Sequence, residues 1–294
     1  MSKTLQGILI FVSTCCIYAL LNCIIRELTK TLDSYTIVAY RSLACLILMG
    51  PFLTFLCATK RVTWKLCNQS NFYKGALDFL SMPLWFLAIA NLQIAQAVSL
   101  SYTTPLFTAV LAVLLLKEKV GIERWLALLI GLIGVYVIIK PDINGFNIYG
   151  LFILGASMLW ALGSILTKNL TSQQHPVLIA FYTNFFIFII SLPLFINNPA
   201  AIDSKSMFLI AVSALLSCIA SVGLAYAFSK TKLTVLLPFD YTRLIFASSF
   251  AFIFYHEIIS LSTVIGSMLI LFASLYVANR RYSLKAIDKT SRIS

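Results

Sequence analysis

The sequence predicts an all-α integral membrane protein with ten transmembrane helices, arranged as two inverted five-helix repeats. Three observations predict this fold class: the composition, the spacing of the polar breaks and the distribution of Lys and Arg. Of the 294 residues, 60% are hydrophobic and only 11% are charged, whereas a soluble domain carries about 25% charged residues. This composition excludes a soluble enzyme, a disordered chain and a DNA-binding module.

Ten apolar segments, each close to the roughly 20 residues that cross a bilayer core, alternate with short polar breaks. The break at residues 91–93 carries no charge, but without it residues 72–116 would form one stretch too long for a single crossing. The first segment is a span because it is too long for a signal-peptide core. The predicted spans are 5–25, 34–56, 72–91, 94–116, 121–139, 148–167, 176–197, 206–228, 233–255 and 260–279.

The positions of the basic residues test this count. Of the 22 Lys and Arg residues, sixteen fall on the side that holds the N-terminus, four on the other side and two within spans. Lys74, at the start of the third span, is counted with the sixteen. Because cytoplasmic loops carry the excess of Lys and Arg, both termini are expected to be cytoplasmic. The net charge of +12 is therefore assigned to the cytoplasmic face and its anionic lipids, and no nucleic-acid partner is expected.

An offset near 140 residues relates the two halves. Residues 26–29 align with residues 168–171 at an offset of 142, and Glu118 aligns with Glu257 at an offset of 139. Each half holds five spans, an odd number, so the halves must cross in opposite directions. Such an inverted repeat lets one binding site open to either side. We expect a first repeat at 1–142, an inverted second repeat at 143–280 and a basic cytoplasmic tail at 281–294.

Four charged residues lie inside apolar spans: Arg41, Asp78, Asp240 and Arg243. A charge near the bilayer centre costs about 2.5–3.5 kcal/mol or more, so such groups face a cavity, form a pair or serve a function. Structural alternatives stay open. Asp240 and Arg243 could pair on one helix face, Arg41 could bind carbonyls of a neighbouring helix, and Asp78 could reach cytoplasmic solvent. The four charges sum to zero, which suits a zwitterionic or modestly charged solute.

Two prolines lie beside polar segments at equivalent places in the two halves. Pro105 follows residues 99–104, and Pro238 precedes residues 240–243. Proline frees a carbonyl one turn earlier, which a membrane tolerates only beside protein or a wet cavity. Interrupted polar helices at matching positions predict a transporter site, and a simple packing kink is the alternative.

Aromatic residues within the spans complete the candidate site, although any one of them is more often a packing residue. Their ring faces attract cations and stack on bases. The candidates are Trp85, Tyr102, Trp160, Tyr182 and Tyr241. We predict that substrate binding uses these rings together with Arg41, Asp78, Asp240 and Arg243. Small residues at 213, 217 and 221 predict instead a close contact between helices.

No catalytic motif is present. The sequence lacks GxxxxGK, GxSxG and HExxH, and the seven cysteines are scattered without metal-ligand spacing. We therefore expect no enzyme activity, no metal and no cofactor. An intramembrane enzyme would need a catalytic pair that the sequence does not supply. A scaffold would carry four costly charges without a structural need for them.

Several motifs resemble EamA-type carriers of the drug/metabolite transporter superfamily, over roughly residues 5–280. They are Tyr40-Arg41-Ser42-Leu43, Pro105-Leu106 with the later run 114–118, and the helix at 131–139. In that family a Gly usually precedes the Glu that ends the span, whereas Lys117 precedes Glu118 and His256 precedes Glu257 here. Asp240 and Arg243 are not typical of the family, which makes them candidates for substrate choice.

Within that family the chain is similar to bacterial carriers that take up S-adenosylmethionine. The resemblance implies uptake across the inner membrane, with exchange for S-adenosylhomocysteine as one option. Arg41 or Arg243 would hold the carboxylate, Asp78 or Asp240 would face the amine or sulfonium, and the rings would stack on the adenine. The implied partners are this small molecule and membrane lipids. An exporter of amino acids, purines or drugs would need nearly the same groups, and the direction of flux, proton coupling and oligomeric state stay open.

Overall fold

The predicted apolar segments form helices. The computed structural model describes residues 3–59, 69–104, 106–108, 110–111, 122–139, 147–171, 174–197, 202–230, 239–240, 242–273 and 276. Every regular element among these residues is a helix, and each predicted span contains one continuous helix of at least eight described residues. They are α1 (Lys3–Leu28), α2 (Ser34–Ala58), α3 (Gln69–Asn91), α4 (Ile94–Ser101), α5 (Ile122–Ile139), α6 (Ile148–Thr171), α7 (Pro176–Asn197), α8 (Ser204–Lys230), α9 (Thr242–Tyr255) and α10 (Leu261–Ala273).

The outside of the bundle is apolar. Large side chains such as Phe55, Phe208 and Leu261 are exposed on the surface, an arrangement that water disfavours and lipid accepts. Five described helical segments are long and apolar enough to cross a bilayer: Leu5–Leu28, Ser34–Ala58, Ile148–Thr167, Val177–Leu194 and Ser204–Gly223. The chain is therefore a multi-pass membrane protein.

Aspartates begin two of the helices. Asp33 precedes α2, and its side chain accepts the backbone N–H of Thr36 at 3.1 Å. Asp203 precedes α8 and accepts the N–H of Ser206 at 3.3 Å. These caps satisfy N–H groups that have no partner within the helix. Hydrogen bonding from Ser206 also holds the pKa of Asp203 below its ordinary value.

A residue in the left-handed conformation ends α9 in an αL motif. His256 has a φ of 54°, in the left-handed region that favours glycine. The N–H of His256 donates to the Phe252 carbonyl at 2.9 Å, and the N–H of Glu257 donates to the Ala251 carbonyl at 3.3 Å. This turn brings Glu257 to the start of α4, where its side chain accepts the N–H of Ile94.

Helices from the two halves pack against one another. The most extensive contacts join α1 to α8, α3 to α6 and α2 to α7. The α5 and α10 backbones also approach closely, because a Cβ on Gly134 would lie 2.8 Å from the carbonyl oxygen of Gly266. Only glycine permits that separation.

The helix α4 is short because a turn follows it. Tyr102 and Thr103 form this turn, and residues 106–108 are helical again. The N–H groups of Tyr102 and Thr103 donate to carbonyls three residues back, at 3.2 and 3.1 Å, instead of four residues back. Pro105 and Pro238, which predict interruptions in the two halves, lie outside the described residues.

Candidate functional site

A cavity of about 830 Å³ lies inside the bundle, and its wall comes from α1–α4 and α6–α9. The wall reaches Lys74, in the second turn of α3, and Thr167, near the end of α6. We call this side of the bundle the Lys74 end. The opposite side, where α1 and α9 end and α4 begins, is the Glu257 end. Small-molecule sites range from about 300 to 1,000 Å³, so the cavity suits a metabolite.

Four lining residues come from one face of α3: Lys74, Asp78, Met82 and Trp85. Steps of four, four and three residues place them on the same side of a helix. The Lys74 ammonium forms an ion pair with the Asp78 carboxylate, and Asp78 is 8% exposed. The Oδ1 atom of Asp78 is buried and has no hydrogen-bond partner in the described part of the chain.

Arg41 extends into the cavity from α2. Its Nη2 donates to the sulfur of Met82 at 3.2 Å, and its guanidinium carbon lies 5.4 Å from the centre of the Phe86 ring. Neither group carries a negative charge. No carboxylate in the described part of the chain forms an ion pair with Arg41. The alternative predicted for Arg41, a bond to helix carbonyls, does not occur among the described residues.

Arg243 enters the cavity from α9. Its Nη2 lies 3.9 Å from Oδ2 of Asp240, in the i, i+3 arrangement that the sequence predicts. The guanidinium carbon of Arg243 lies 5.4 Å from the Tyr102 ring, and the Tyr102 hydroxyl donates to the Asp240 backbone carbonyl at 3.1 Å. Tyr18 on α1 lines the same cavity as Arg41 and Arg243, so the two guanidinium groups serve one region.

Two indole rings also line the cavity. Trp85 on α3 and Trp160 on α6 contact each other with ring centroids 5.2 Å apart and a tilt of 55°. Ring faces of this kind stack on flat heterocycles. The pair thus adds an aromatic surface to a wall that carries both positive and negative groups.

The nine predicted substrate-binding residues have four different outcomes in the structure. Those in the cavity wall are Arg41, Asp78, Trp85, Trp160 and Arg243. Asp240 and Tyr102 contact Arg243 but are not part of the wall. Tyr182 packs into a buried cluster between α2 and α7, and Tyr241 lies outside the described residues. Their roles in binding stay predictions.

Several polar residues that the sequence analysis did not single out as binding residues also line the cavity. They are Tyr18, Asn22, Lys74, Thr167, Thr183, Asn184, Ser217 and Ser221. Ser217 and Ser221, which were predicted to form a contact between helices, also line the cavity. The sequence could have indicated Asn22 and Asn184 as cavity residues, because an amide inside an apolar span needs a polar partner or a hydrated surface.

At the Glu257 end the charged groups satisfy one another. Glu257 forms an ion pair with Arg26, and its Oε2 accepts the N–H of Ile94 at 3.0 Å. The guanidinium carbon of Arg26 lies 4.7 Å from the centre of the Tyr255 ring, and the Tyr255 hydroxyl donates to the Cys23 carbonyl at 2.8 Å. We call Arg26, Tyr255, Glu257 and the Ile94 N–H the Glu257 network. It ties α1, α4 and α9 together.

An apolar cluster separates the Glu257 network from the cavity. Leu28 and Ile37 in this cluster have no exposed surface. Ile25 and Phe86 belong both to the cluster and to the cavity wall. The cavity is therefore closed toward the Glu257 end, and it extends toward the Lys74 end.

Comparison with known proteins gives a family match in each half. Residues 5–140 and residues 147–279 each match the sequence model of the EamA-like transporter family. A solved crystal structure superposes with a TM-score of 0.59 over 94% of this chain and 96% of that chain, at 17% identity. That likeness shows a shared fold.

Three relatives carry different substrates in their names. The chain is 24% identical over 255 residues to an S-adenosylmethionine uptake transporter of Rickettsia bellii, with 86% of each chain covered. It is 27% identical over 249 residues to a riboflavin transporter of Vibrio cholerae, with 82% of each chain covered. It is 24% identical over 283 residues to a pseudopaline exporter of Pseudomonas aeruginosa, with 94% of this chain and 97% of that one covered.

Proposed function

The chain belongs to the EamA-like transporter family, and on that premise we propose that it is a secondary transporter of a small zwitterionic or cationic metabolite, working by alternating access. One observation carries the proposal: the cavity holds Arg41, Asp78 and Arg243 within apolar spans and is closed toward the Glu257 end. Charges at membrane depth are costly and accompany transport pathways. In a transporter these charges bind a solute, whereas a scaffold protein would have no function for them.

For the mechanism we propose two inverted repeats, at 1–142 and 143–280. A basic tail follows at 281–294. The two family matches and the offset near 140 residues support the repeats. The packing supports the repeats as well. In two equivalent halves, α1 corresponds to α6, α2 to α7 and α3 to α8. Under this correspondence the α1–α8 contact becomes the α6–α3 contact, and both are extensive. The same correspondence leaves the α2–α7 contact unchanged. Two such halves can rock about a cavity that stays between them.

We propose that the Lys74 end faces the cytoplasm of a bacterial cell, with both termini on that side of the inner membrane. The sixteen-to-four distribution of basic residues supports this orientation. In that orientation the structure corresponds to the conformation closed to the outside, with the Glu257 network as its external closure.

For the substrate we propose S-adenosylmethionine, taken up in exchange for S-adenosylhomocysteine. The Rickettsia relative supports this choice, and the cavity offers matching chemistry. Trp85 and Trp160 can stack on adenine, a guanidinium can hold the carboxylate, and Asp78 can accept from the amine. The second candidate is a family exporter of amino acids, purines or drugs, which the riboflavin and pseudopaline relatives favour.

This exchange would move charge. At neutral pH S-adenosylmethionine carries a carboxylate, an ammonium and a sulfonium, whereas S-adenosylhomocysteine lacks the sulfonium charge. Each cycle would bring one net positive charge inward, and 100 mV of membrane potential is worth about 2.3 kcal/mol per charge. We therefore expect an inside-negative potential to drive accumulation.

The test is transport by purified protein in liposomes preloaded with S-adenosylhomocysteine. Labelled S-adenosylmethionine should enter, its mass should be unchanged on recovery, and an inside-negative potassium diffusion potential should increase its uptake. Protein-free liposomes and the variant Lys205→Gln, whose side chain is 68% exposed outside the cavity, are the controls. A changed solute mass would contradict the transporter proposal. Stronger competition by a purine or an amino acid than by unlabelled S-adenosylmethionine would favour the second candidate.

A further inference from the structure

We infer that Arg41 anchors a carboxylate of the transported solute, and that the cavity prefers solutes without net positive charge to their cationic analogues. The inference rests on the transport function proposed above and narrows its substrate class. Of the two guanidinium groups in the cavity wall, the inference assigns carboxylate binding to Arg41. It also predicts how affinity depends on the net charge of the solute.

The charges around the cavity do not balance. Lys74 is paired with Asp78, and Arg243 lies 3.9 Å from a carboxylate oxygen of Asp240. Arg41 has no acidic partner in the described ranges. Among the described residues, the cavity and its paired neighbours therefore hold one uncompensated positive charge, and Arg41 carries it.

The surroundings of Arg41 do not compensate this charge. A thioether is a weak acceptor, so the 3.2 Å contact with Met82 positions the guanidinium without neutralising it. The Phe86 ring, 5.4 Å away, adds only a cation–π attraction. A guanidinium presents a planar set of donors that matches a carboxylate in a bidentate pair. A carboxylate from the solute would thus supply the missing partner.

The acidic groups of the cavity do not favour an additional cation. One oxygen of Asp78 forms no hydrogen bond with any described residue, so it can accept from a substrate ammonium. Its charge is already matched by Lys74, however, and a cationic group must compete with that lysine. A zwitterion that uses Arg41 and Asp78 leaves the net charge of the cavity unchanged. An extra sulfonium adds a second uncompensated charge in a medium of low dielectric constant, where repulsion is strong.

Three compounds of nearly equal shape separate these effects. S-adenosylhomocysteine is a net-neutral zwitterion, S-adenosylmethionine adds a methyl group and a sulfonium charge, and the carboxamide of S-adenosylhomocysteine loses the carboxylate charge. We expect competition against labelled S-adenosylhomocysteine, on purified protein, to show the zwitterion binding about tenfold or more tightly than either cation. Because the cavity extends toward the proposed cytoplasmic side and is closed at the Glu257 end, the same order would favour loading of the exported solute.

Variants assign the preference to Arg41. Arg41→Gln should weaken S-adenosylhomocysteine binding about tenfold or more and abolish its advantage over the carboxamide. Arg41→Lys should retain part of that advantage, because the charge stays while the bidentate geometry is lost. Lys205→Gln, which removes an exposed charge away from the cavity, should change neither affinity. If Arg41→Gln does not fold, the order of the three compounds on the unmodified protein decides.

Two results would overturn the inference alone: S-adenosylmethionine is transported yet binds as tightly as S-adenosylhomocysteine, or Arg41→Gln keeps the preference for the carboxylate. If none of the three compounds binds and S-adenosylmethionine does not enter liposomes, the substrate proposed above fails together with the inference.

Discussion

The Glu257 network and the cavity both place charged groups among membrane-spanning helices, but they treat those charges in opposite ways. In the network, both oxygens of Glu257 have partners, Arg26 and the Ile94 N–H. In the cavity, Arg41 contacts a thioether and a ring, and no described carboxylate pairs with it. A charged residue in a membrane helix is therefore a weak sign of a binding site by itself. A charge that the protein leaves without a partner is a stronger one.

The two arrangements imply different roles. The Glu257 network joins the end of α1, the start of α4 and the turn after α9, so opening that end of the bundle requires its contacts to break. Arg41 joins no helices through an ion pair of its own among the described residues. We therefore expect the network to stabilise one conformation of the protein, and Arg41 to stabilise the complex with a solute.

The largest expected effect separates these roles directly. Glu257→Gln should lower the free energy of unfolding by about 3 kcal/mol, because Arg26 loses its partner in a mostly buried site. Arg41→Gln should leave the stability of the ligand-free protein unchanged or raise it, since it removes an uncompensated charge, while it impairs transport. Thermal unfolding in detergent without ligand measures both. Equal losses of stability in the two variants would show that Arg41 stabilises the ligand-free protein as much as Glu257 does, and would contradict this difference between the two regions.

The sequence predicts the helices of this fold well and the partners of its charges poorly. The second span was predicted at 34–56 and the helix is Ser34–Ala58, because apolar length is set by the thickness of the bilayer. The contact between Arg26 and Glu257 joins residues 231 positions apart and depends on the turn at His256. No local pattern reports such a contact.

The direction in which each side chain points was the second property that the sequence predicted poorly. Lys74 was counted with the cytoplasmic residues, although its i, i+4 spacing to Asp78 is a readable signal for an ion pair on one helix face. Tyr182 was predicted to bind substrate; its side chain packs between α2 and α7, and its role in binding stays a prediction. Each residue along a helix turns the side chain by about 100°, so depth in the membrane is predictable from sequence while the face presented to a cavity is decided by packing.

A second, smaller effect tests whether the cavity acts through its ligand. Replacing Trp85 or Trp160 by Leu should weaken S-adenosylhomocysteine binding by roughly 1–3 kcal/mol, the value of one base–aromatic stack, with little change in stability. Phe252→Leu is the matched control, because Phe252 is 56% exposed on the apolar surface. Competition binding and thermal unfolding should be measured on the same preparations. A loss of stability without a loss of affinity would assign the indole pair to packing, as in the Glu257 end.

The smallest effect concerns the backbone that supports the Glu257 network. His256 is exposed and has a φ of 54°, a conformation that costs a residue with a Cβ about 1–2 kcal/mol relative to glycine. His256→Gly should therefore raise the free energy of unfolding by about 1 kcal/mol, the remainder being offset by the greater freedom of glycine in the unfolded chain. Ile258→Gly is the control in the same loop, since Ile258 has no positive φ and gains nothing from glycine. The gain at His256 should persist in a Glu257→Gln background if it comes from the backbone alone. If it vanishes there, the turn and the ion pair stabilise each other, and the closure at this end is a single cooperative unit.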